Sequence, residues 1–289
     1  MLKGGWVDGF KAAMPDCRIE NLSIGASPGI QFSSLLHTDF SQYNYVFFDS
    51  VPNDEEYQYL TNGYSALEFS TGILYEIFST ISAQSRLVVI GICNKRYLRQ
   101  ESQVYSLRKS LASLCGAEFI DVRHLLITYS GFFARRSGIR DLYEAHPAHP
   151  RLQHMFFIGD FIGRCLLQLP LVGELTGKCY RSGYTVWRAS SIIDAGLKLV
   201  EKSNSLLRET FALLTENESI DFNEEGKCIG LYVNYRGTNG VLSLLDENLA
   251  EIFHINLFSV INDRLVKIFV PIPNGKVVTK ISIVEKSSK

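Results

Sequence analysis

The sequence predicts a mixed α/β fold in two parts, an α/β sandwich followed by an all-β domain. In the first part, continuous apolar runs alternate with helical patterns, and residues 86–92 form the clearest run. Strands without polar alternation that are separated by helices are typical of a parallel sheet covered on both faces. After Leu169 the pattern changes to short β-rich runs with turn signals, which favours antiparallel pairing.

The predicted α/β domain spans residues 1–172, and its elements follow one another from a helix stopped by Pro15 to a long closing helix. The predicted helices cover residues 6–14, 30–36, 59–81, 103–115 and 155–167. The predicted strands cover residues 18–24, 43–48, 86–92 and 118–122. Parallel strands joined through helices require right-handed crossovers.

Residues 178–289 are predicted to form a β-sandwich. The β-rich runs lie at residues 183–187, 228–235, 265–270 and 277–284. Asn274-Gly275 lies between the last two runs and is a strong hairpin signal. Residues 192–207 fit a helix and a strand equally well.

The composition supports a folded protein and excludes some classes of function. The chain has 289 residues, of which 46% are hydrophobic and 12% aromatic, enough for a substantial core. Its net charge of -1 gives no electrostatic case for binding nucleic acid. No apolar run is long enough for a membrane span. We therefore expect neither a nucleic-acid partner nor a membrane span.

The six cysteines are scattered, mostly in apolar settings, and form no Cys-x-x-Cys pair. This pattern indicates reduced, buried thiols rather than disulfides or zinc ligands. The start of the chain has no signal-peptide core. We expect a cytoplasmic location and no cofactor, and the sequence leaves the oligomeric state open.

Three polar segments come where a parallel sheet places its chemistry, near the carboxyl ends of strands. Gly25 ends the first predicted strand, Asn53 follows the second, and His149 precedes the closing helix. Gly25 could bring its backbone N–H close to a ligand, and the Asn53 amide could donate a second hydrogen bond. Two such donors stabilise an oxyanion, and a histidine nearby can act as general base.

In order and spacing these segments resemble the SGNH (GDSL) hydrolase family, over about residues 4–168. The resemblance lies in Asn-Leu-Ser-Ile-Gly at 21–25, Asn-Asp at 53–54 and His-Pro at 149–150. It implies a three-layer, flavodoxin-like parallel sheet and a serine esterase or O-acyltransferase, with Gly25 and Asn53 as the oxyanion hole and His149 as the base. Because accessory β-sandwiches often accompany polysaccharide-active enzymes, it also implies an O-acetyl group on a carbohydrate, or another acylated small molecule, as substrate.

The nucleophile block of the family, a strand that ends in Gly-Asp-Ser, has no counterpart here. It would precede the helix at 6–14, where only five residues stand. We expect the chain to be truncated, with the serine encoded upstream of Met1, and to be inactive as it stands. Ser27 is the alternative nucleophile, although the 26 residues from Ser27 to Asn53 are too few for the intervening elements of the family.

The orienting acid is the second departure from the family pattern. The residue three before His149 is His146, where the family has aspartate. Asp141 or Glu144 could supply a carboxylate from the same loop, and His146 is the alternative base. A metal site built from His146, His149 and His154 is disfavoured because two prolines interrupt the segment, so we predict no metal site.

The alternative function is a non-catalytic module for carbohydrate recognition or polysaccharide assembly, derived from a hydrolase. The aromatic residues that could line a sugar platform are Tyr184, Trp187, Tyr232 and Tyr235. Burial in the core of the sandwich is the favoured interpretation of these side chains.

Overall fold

The computed structural model describes residues 5–23, 27–61, 64–129, 142–144, 146–168, 183–189, 197–203, 208–215, 218–222, 226–237, 239–258 and 265–284. The fold is mixed α/β, as predicted, with one parallel sheet and several antiparallel sheets. The chain divides into two compact units. The first comprises Met1–Glu20 and Ala26–Thr185, and the second comprises Asn21–Gly25 and Val186–Lys289.

A three-stranded parallel sheet lies in the first unit. Its strands are β1 (Tyr45–Phe48), β2 (Arg86–Ile90) and β3 (Glu118–Ile120), side by side in that order. β2 lies in the middle, and four of its five residues are buried. This burial follows from its apolar side chains, which point to both faces of the sheet.

Six α-helices are described in the first unit. They are α1 (Trp6–Ala13), α2 (Val51–Thr61), α3 (Tyr64–Ser82), α4 (Gln103–Leu114), α5 (Val122–Thr128) and α6 (Leu152–Gln168). Side chains cap two of them, since Ser102 accepts a backbone N–H at the start of α4 and Asp121 does so at the start of α5. Short 3-10 helices cover Gly29–Leu35 and Lys95–Tyr97. Within the described ranges, no helix has the length and apolar character needed to cross a bilayer.

The helices α1 and α6 pack with their backbones in direct contact. A Cβ atom on Gly9 would lie 1.9 Å from the carbonyl oxygen of Phe156, and one on Gly159 would lie 1.7 Å from that of Trp6. Only glycine permits so close an approach. The crossing is part of the core of the first unit, whose buried members here are Phe10, Ile158 and Ile162.

The second unit is built from antiparallel strands. They are β4 (Lys198–Ser203), β5 (Arg208–Leu213), β6 (Ser219–Asp221), β7 (Cys228–Asn234), β8 (Asn239–Leu245), β9 (Glu251–Phe258), β10 (Lys267–Lys276) and β11 (Lys280–Val284). β4 pairs with β5, β7 pairs with β10, and the others form a sheet in the order β6-β11-β8-β9. Both the β7/β10 pair and the four-stranded sheet contribute to one apolar cluster, in which Leu244 and Ile272 are fully buried.

Three predicted features are wrong: the first strand of the α/β domain, the first β-rich run after the linker and the hairpin at Asn274-Gly275. Residues 18–23 form no strand, and Leu22 is 40% exposed, so its side chain lacks the burial that a core strand requires. Residues 183–187, the first β-rich run predicted after the linker, also form no strand. The predicted hairpin at Asn274-Gly275 is absent because β10 runs through it and pairs with β7, while β11 pairs with β6 and β8. The left-handed Gly275, with φ of 57°, lies where the register of β10 shifts.

Other boundaries also differ from the prediction. The helix predicted over residues 59–81 is two helices, α2 and α3, and the first of them begins eight residues earlier, at Val51. The strand predicted to reach Val122 ends at Ile120, because Asp121 caps α5 instead. Cys93 is buried, as predicted for the cysteines, whereas Cys17 is exposed.

Candidate functional site

The candidate site lies at the carboxyl edge of the parallel sheet, where β1 and β2 end. Helix α2 begins three residues after β1, and residues 91–97 follow β2. Because the two strands are parallel neighbours, the segments that follow them emerge at the same edge. A hydrogen bond from the backbone N–H of Asn94 to the carboxyl group of Glu55 joins the two segments directly.

Asn53 lies in the first turn of α2 and contacts the segment that follows Gly25. Its Nδ2 donates a hydrogen bond to the carbonyl oxygen of Ser27 over 3.1 Å. A side-chain amide has two N–H groups, so the second one is the candidate donor to an oxyanion. Gly25 lies outside the described residues, so the structure places one of the two predicted oxyanion donors.

Asp54 also binds the segment that contains Ser27, at Gly29. Its Oδ1 accepts the backbone N–H of Gly29 at 2.8 Å, and its Oδ2 accepts the Ser50 hydroxyl at 2.6 Å and the Arg108 guanidinium at 2.8 Å. Asp54 and Arg108 are 7% and 1% exposed. A Cβ atom on Gly29 would lie 2.8 Å from the Ser50 hydroxyl oxygen, so a larger residue here would displace a side chain that binds Asp54. Buried charges of this kind are tolerated only when they are paired and hydrogen-bonded.

Ser27, the alternative nucleophile, is buried beside Asn53. It is 6% exposed, and its carbonyl oxygen is held by the Asn53 amide. A nucleophilic serine must meet the carbonyl carbon of its substrate, so this burial disfavours attack by Ser27.

His146 and His149 lie in the loop that precedes α6, as predicted from their position before the closing helix. Their ring centroids are 4.8 Å apart. The Nδ1 of His146 accepts the backbone N–H of Ala148 at 3.2 Å, and the carbonyl oxygen of His149 accepts the backbone N–H of Glu144 at 2.9 Å. Desolvation by surrounding protein atoms and the neighbouring His146 together hold the pKa of the exposed His149 below its usual range. His149 is therefore neutral near pH 7 and able to accept a proton.

The structure places no described carboxylate in contact with the ring of His149. Glu144 touches His149 through its backbone only, and Asp141 lies outside the described residues. His154 is 2% exposed and its Nδ1 lies 3.1 Å from the carbonyl oxygen of Leu142. Among the residues that the structure describes, no group of three or more acidic, histidine or cysteine side chains could hold a metal ion.

Residues 143–150 carry His146 and His149 and are called the histidine loop. Two hydrogen bonds connect this loop to residues 93–95, which follow β2. The Lys95 N–H donates to the carbonyl oxygen of Pro147 at 2.8 Å, and the Tyr143 hydroxyl donates to the carbonyl oxygen of Cys93 at 2.7 Å. Since the Asn94 N–H is bound to α2, this segment is the link between Asn53 and the histidines. The structure thereby brings Ser27, Asn53 and the histidine loop to one edge of one sheet.

Sequence reasoning missed the buried polar groups that hold this edge together. Glu55 is 1% exposed and accepts hydrogen bonds from the Asn94 backbone and the Ser102 hydroxyl. Burial raises the pKa of Glu55 to about 7. The signal in the sequence was the acidic run directly after Asn53, which also fits an exposed helix start. Arg108 lies at helical spacing from Val104 and Leu111, on the apolar face of α4, and this position was the signal for its burial.

Asp49, the residue after β1, is a second carboxyl with an unusual environment. The Trp6 indole N–H donates to it, and burial raises its pKa to about 7. Its Oδ1 is buried and has no hydrogen-bond partner among the residues that the structure describes. Such a carboxyl is favoured in its protonated form.

The four candidate aromatic residues do not form one group. Tyr184 belongs to the first unit, whereas the other three belong to the second. Tyr232 packs against Phe269 with ring centroids 5.0 Å apart, and Tyr235 packs against the core cluster of its unit. Trp187 is 40% exposed and stacks on Phe222 at 5.9 Å, so it is the most accessible of the four aromatic residues.

Comparisons with known proteins give little further information. No protein-family model matches the chain, and no curated protein matches it. Among solved structures, the X-ray crystal structure of protein YxiM from Bacillus subtilis is similar, with 14% sequence identity and a TM-score of 0.38. The similarity covers 52% of this chain and 44% of YxiM, so the chain spans less than half of that protein's length. A likeness this weak carries no argument about function.

Proposed function

We propose that this protein is a serine esterase or O-acyltransferase of the SGNH type, with a flavodoxin-like α/β domain and an accessory β-sandwich. Its proposed substrate is an O-acetyl group on a carbohydrate. The observation that carries the proposal is the juxtaposition at the sheet edge of an amide donor, Asn53, and a neutral histidine, His149, linked through residues 93–95.

In the proposed reaction, a serine hydroxyl attacks the acetyl carbonyl carbon and His149 accepts its proton. The C=O bond becomes a C–O⁻ single bond, and Asn53 donates a hydrogen bond to that oxygen. A donor of this kind is worth roughly 2.7–4 kcal/mol in the transition state. The oxyanion then collapses, the sugar oxygen leaves with the proton from His149, and water or an acceptor hydroxyl takes the acetyl group from the serine.

The test uses the full natural protein, p-nitrophenyl acetate and acetylated xylan. Loss of a general base lowers the rate roughly 10²–10⁴-fold, so we expect His149→Ala to lower hydrolysis by at least a factor of about 100. His124→Ala is the matched control, because His124 is an exposed histidine on α5. Equal rates for the natural protein and His149→Ala would refute the assignment of the base.

The nucleophile is identified by labelling with a fluorophosphonate and locating the modified serine by mass spectrometry. Label on a serine encoded before Met1 would agree with the sequence prediction, and label on Ser27 would assign the nucleophile there. Absence of label in the natural protein would exclude both and leave the non-catalytic alternative.

The alternative function is carbohydrate recognition without catalysis, and the exposed Trp187 favours it. An indole ring stacked on Phe222 presents an apolar face of the kind that packs on sugar rings. We expect binding of acetylated xylan to fall at least tenfold in Trp187→Ala if this function holds, measured by calorimetric titration. Tyr232→Phe, which keeps the ring packed on Phe269, is the control.

A further inference from the structure

The position of His149 depends on residues 93–95. The N–H of Lys95 and the carbonyl of Cys93 bind the histidine loop at Pro147 and Tyr143, over 2.8 and 2.7 Å. Tyr143 is 1% exposed, so its bond to Cys93 is made in the interior. Any displacement of residues 93–95 would therefore move the loop that carries His149.

Residues 93–95 are themselves held by Glu55. One of its carboxyl oxygens accepts the backbone N–H of Asn94, and the other accepts the hydroxyl of Ser102, which caps α4. Asn94 is fully buried, and its side chain donates to Glu56 at 3.0 Å. The consecutive N–H groups of Asn94 and Lys95 thus bind α2 and the histidine loop respectively.

We propose that Glu55 is a positioning residue for His149, acting through Asn94 and Lys95. The inference rests on the proposed function for the role of His149 as a base, whereas the connection itself runs through contacts that exist without substrate. Glu55 does not touch the histidine. Its effect is to fix the distance between the α2 segment that carries Asn53 and the loop that carries His149.

The groups that face Glu55 decide which substitutions are informative. Burial raises its pKa, the bonds from Ser102 and Asn94 lower it, Asp54 raises it and Arg123 lowers it. Cys93 and Tyr143 are further titratable neighbours, and burial raises the pKa of both side chains. The Asn94 N–H requires an acceptor in either protonation state. Glutamine at position 55 could accept from Asn94 and donate to Ser102, whereas alanine could do neither.

The experiment is an NMR titration of the histidine rings and amide exchange in wild type, Glu55→Ala and Glu55→Gln, with the His149 signal assigned through His149→Gln. In Glu55→Ala we expect the pKa of His149 to rise towards its usual range and the Lys95 amide to exchange at least tenfold faster. Glu55→Gln should restore both. Glu56→Ala is the control, because Glu56 contacts the Asn94 side chain and Arg96 rather than the Asn94 backbone.

An unchanged His149 pKa and Lys95 exchange rate in folded Glu55→Ala would overturn the proposal, as would a Glu55→Gln variant that behaves like Glu55→Ala. If Glu55→Ala does not fold, a pH titration of the wild-type amide signals tests the proposal instead. The Asn94 and Lys95 amide shifts should follow the titration of the Glu55 carboxyl, and the step should vanish in Glu55→Gln; amides that do not follow it would overturn the proposal. None of these NMR signals requires turnover, so they would be unchanged if the esterase assignment failed. A failure of the Glu55 proposal can therefore be distinguished from a failure of the proposed function.

Discussion

At the scale of single residues, His149 is the proposed base, and desolvation and the neighbouring His146 both lower its pKa. A second imidazole near the base favours its neutral form, whereas the aspartate of the SGNH pattern would favour the charged form. His146 therefore lowers the proton affinity of His149 where an acid would raise it.

Replacement of His146 tests this directly. We expect His146→Gln to raise the pKa of His149, because it removes the charge that opposes protonation. His146→Asp should raise that pKa further, because a carboxylate stabilises the imidazolium. The measurement is an NMR titration of the His149 ring. A His149 pKa that is equal in all three proteins would show that His146 does not act on it.

The buried ion pair of Asp54 and Arg108 supports a prediction on stability. Arg108→Ala leaves the Asp54 carboxylate buried with one partner fewer, and broken buried pairs cost roughly 3–5 kcal/mol. Arg164→Ala breaks an ion pair with Asp160 on the surface of α6, where solvent screens the attraction and the loss of stability should be much smaller. Urea unfolding of both variants provides the comparison, and similar losses would contradict it.

Asp49 makes stability depend on pH. Its pKa is raised from 3.8 to about 7 in the folded protein, so between these values the native state holds a proton that the unfolded state has lost. The contribution to stability is therefore full below pH 3.8 and is lost as the pH rises through 7. Asparagine does not titrate, so we expect the free energy of unfolding of Asp49→Asn minus that of wild type to be larger at pH 8 than at pH 5. Urea unfolding at the two pH values measures this difference. An identical difference at the two pH values would argue against a protonated Asp49.

At the scale of elements, the crossing of α1 and α6 tolerates no side chain. A Cβ atom on Gly159 would overlap the backbone oxygen of Trp6, which cannot rotate away, so the helices would have to separate. Because the overlap is with backbone, the cost lies near the top of the roughly 1–3 kcal/mol range for overpacking, and helix propensity offsets about 1 kcal/mol of it. We expect Gly159→Ala to lower the free energy of unfolding by about 2 kcal/mol.

Gly72 on α3 is the matched control, because a Cβ atom there meets its first neighbour at 3.6 Å, an ordinary contact. Gly72→Ala should therefore be neutral or stabilising by up to about 1 kcal/mol. Thermal unfolding of the two variants side by side provides the measurement. Opposite signs are expected, and a destabilised Gly72→Ala together with a neutral Gly159→Ala would refute the packing argument.

The elements that the sequence predicts well are those whose pattern has one physical interpretation. β2 is a continuous apolar run, and α6 has an apolar stripe of helical period. Residues 18–23 have only two apolar side chains, Ile19 and Leu22, and no described partner strand, and pairing is not encoded in a single segment. Asn53 was selected as a candidate because an Asn-Asp pair after an apolar strand is visible in the sequence. Glu55 and Arg108 were missed because burial of a charge depends on partners about 40 to 55 residues away along the chain.

At the scale of the whole molecule, each compact unit has its own apolar core. Leu126 is fully buried in the first unit, and Leu244 is fully buried in the second. Leucine-to-alanine changes in cores cost roughly 2–5 kcal/mol. We expect calorimetry to resolve two unfolding transitions, with Leu126→Ala lowering the temperature of one and Leu244→Ala that of the other. A single transition lowered equally by both variants would contradict separate cores.

The glycine contact between α1 and α6 also bears on the order of events during synthesis. Gly9 and Gly159 are 150 residues apart along the chain, and a ribosome adds roughly 5–20 residues per second, so α1 exists for roughly 7–30 seconds before its partner is made. Trp6 and Phe10 have no α6 to cover them in that interval. The aromatic side chains of this segment therefore stay without their α6 partner for many seconds while the chain is being made.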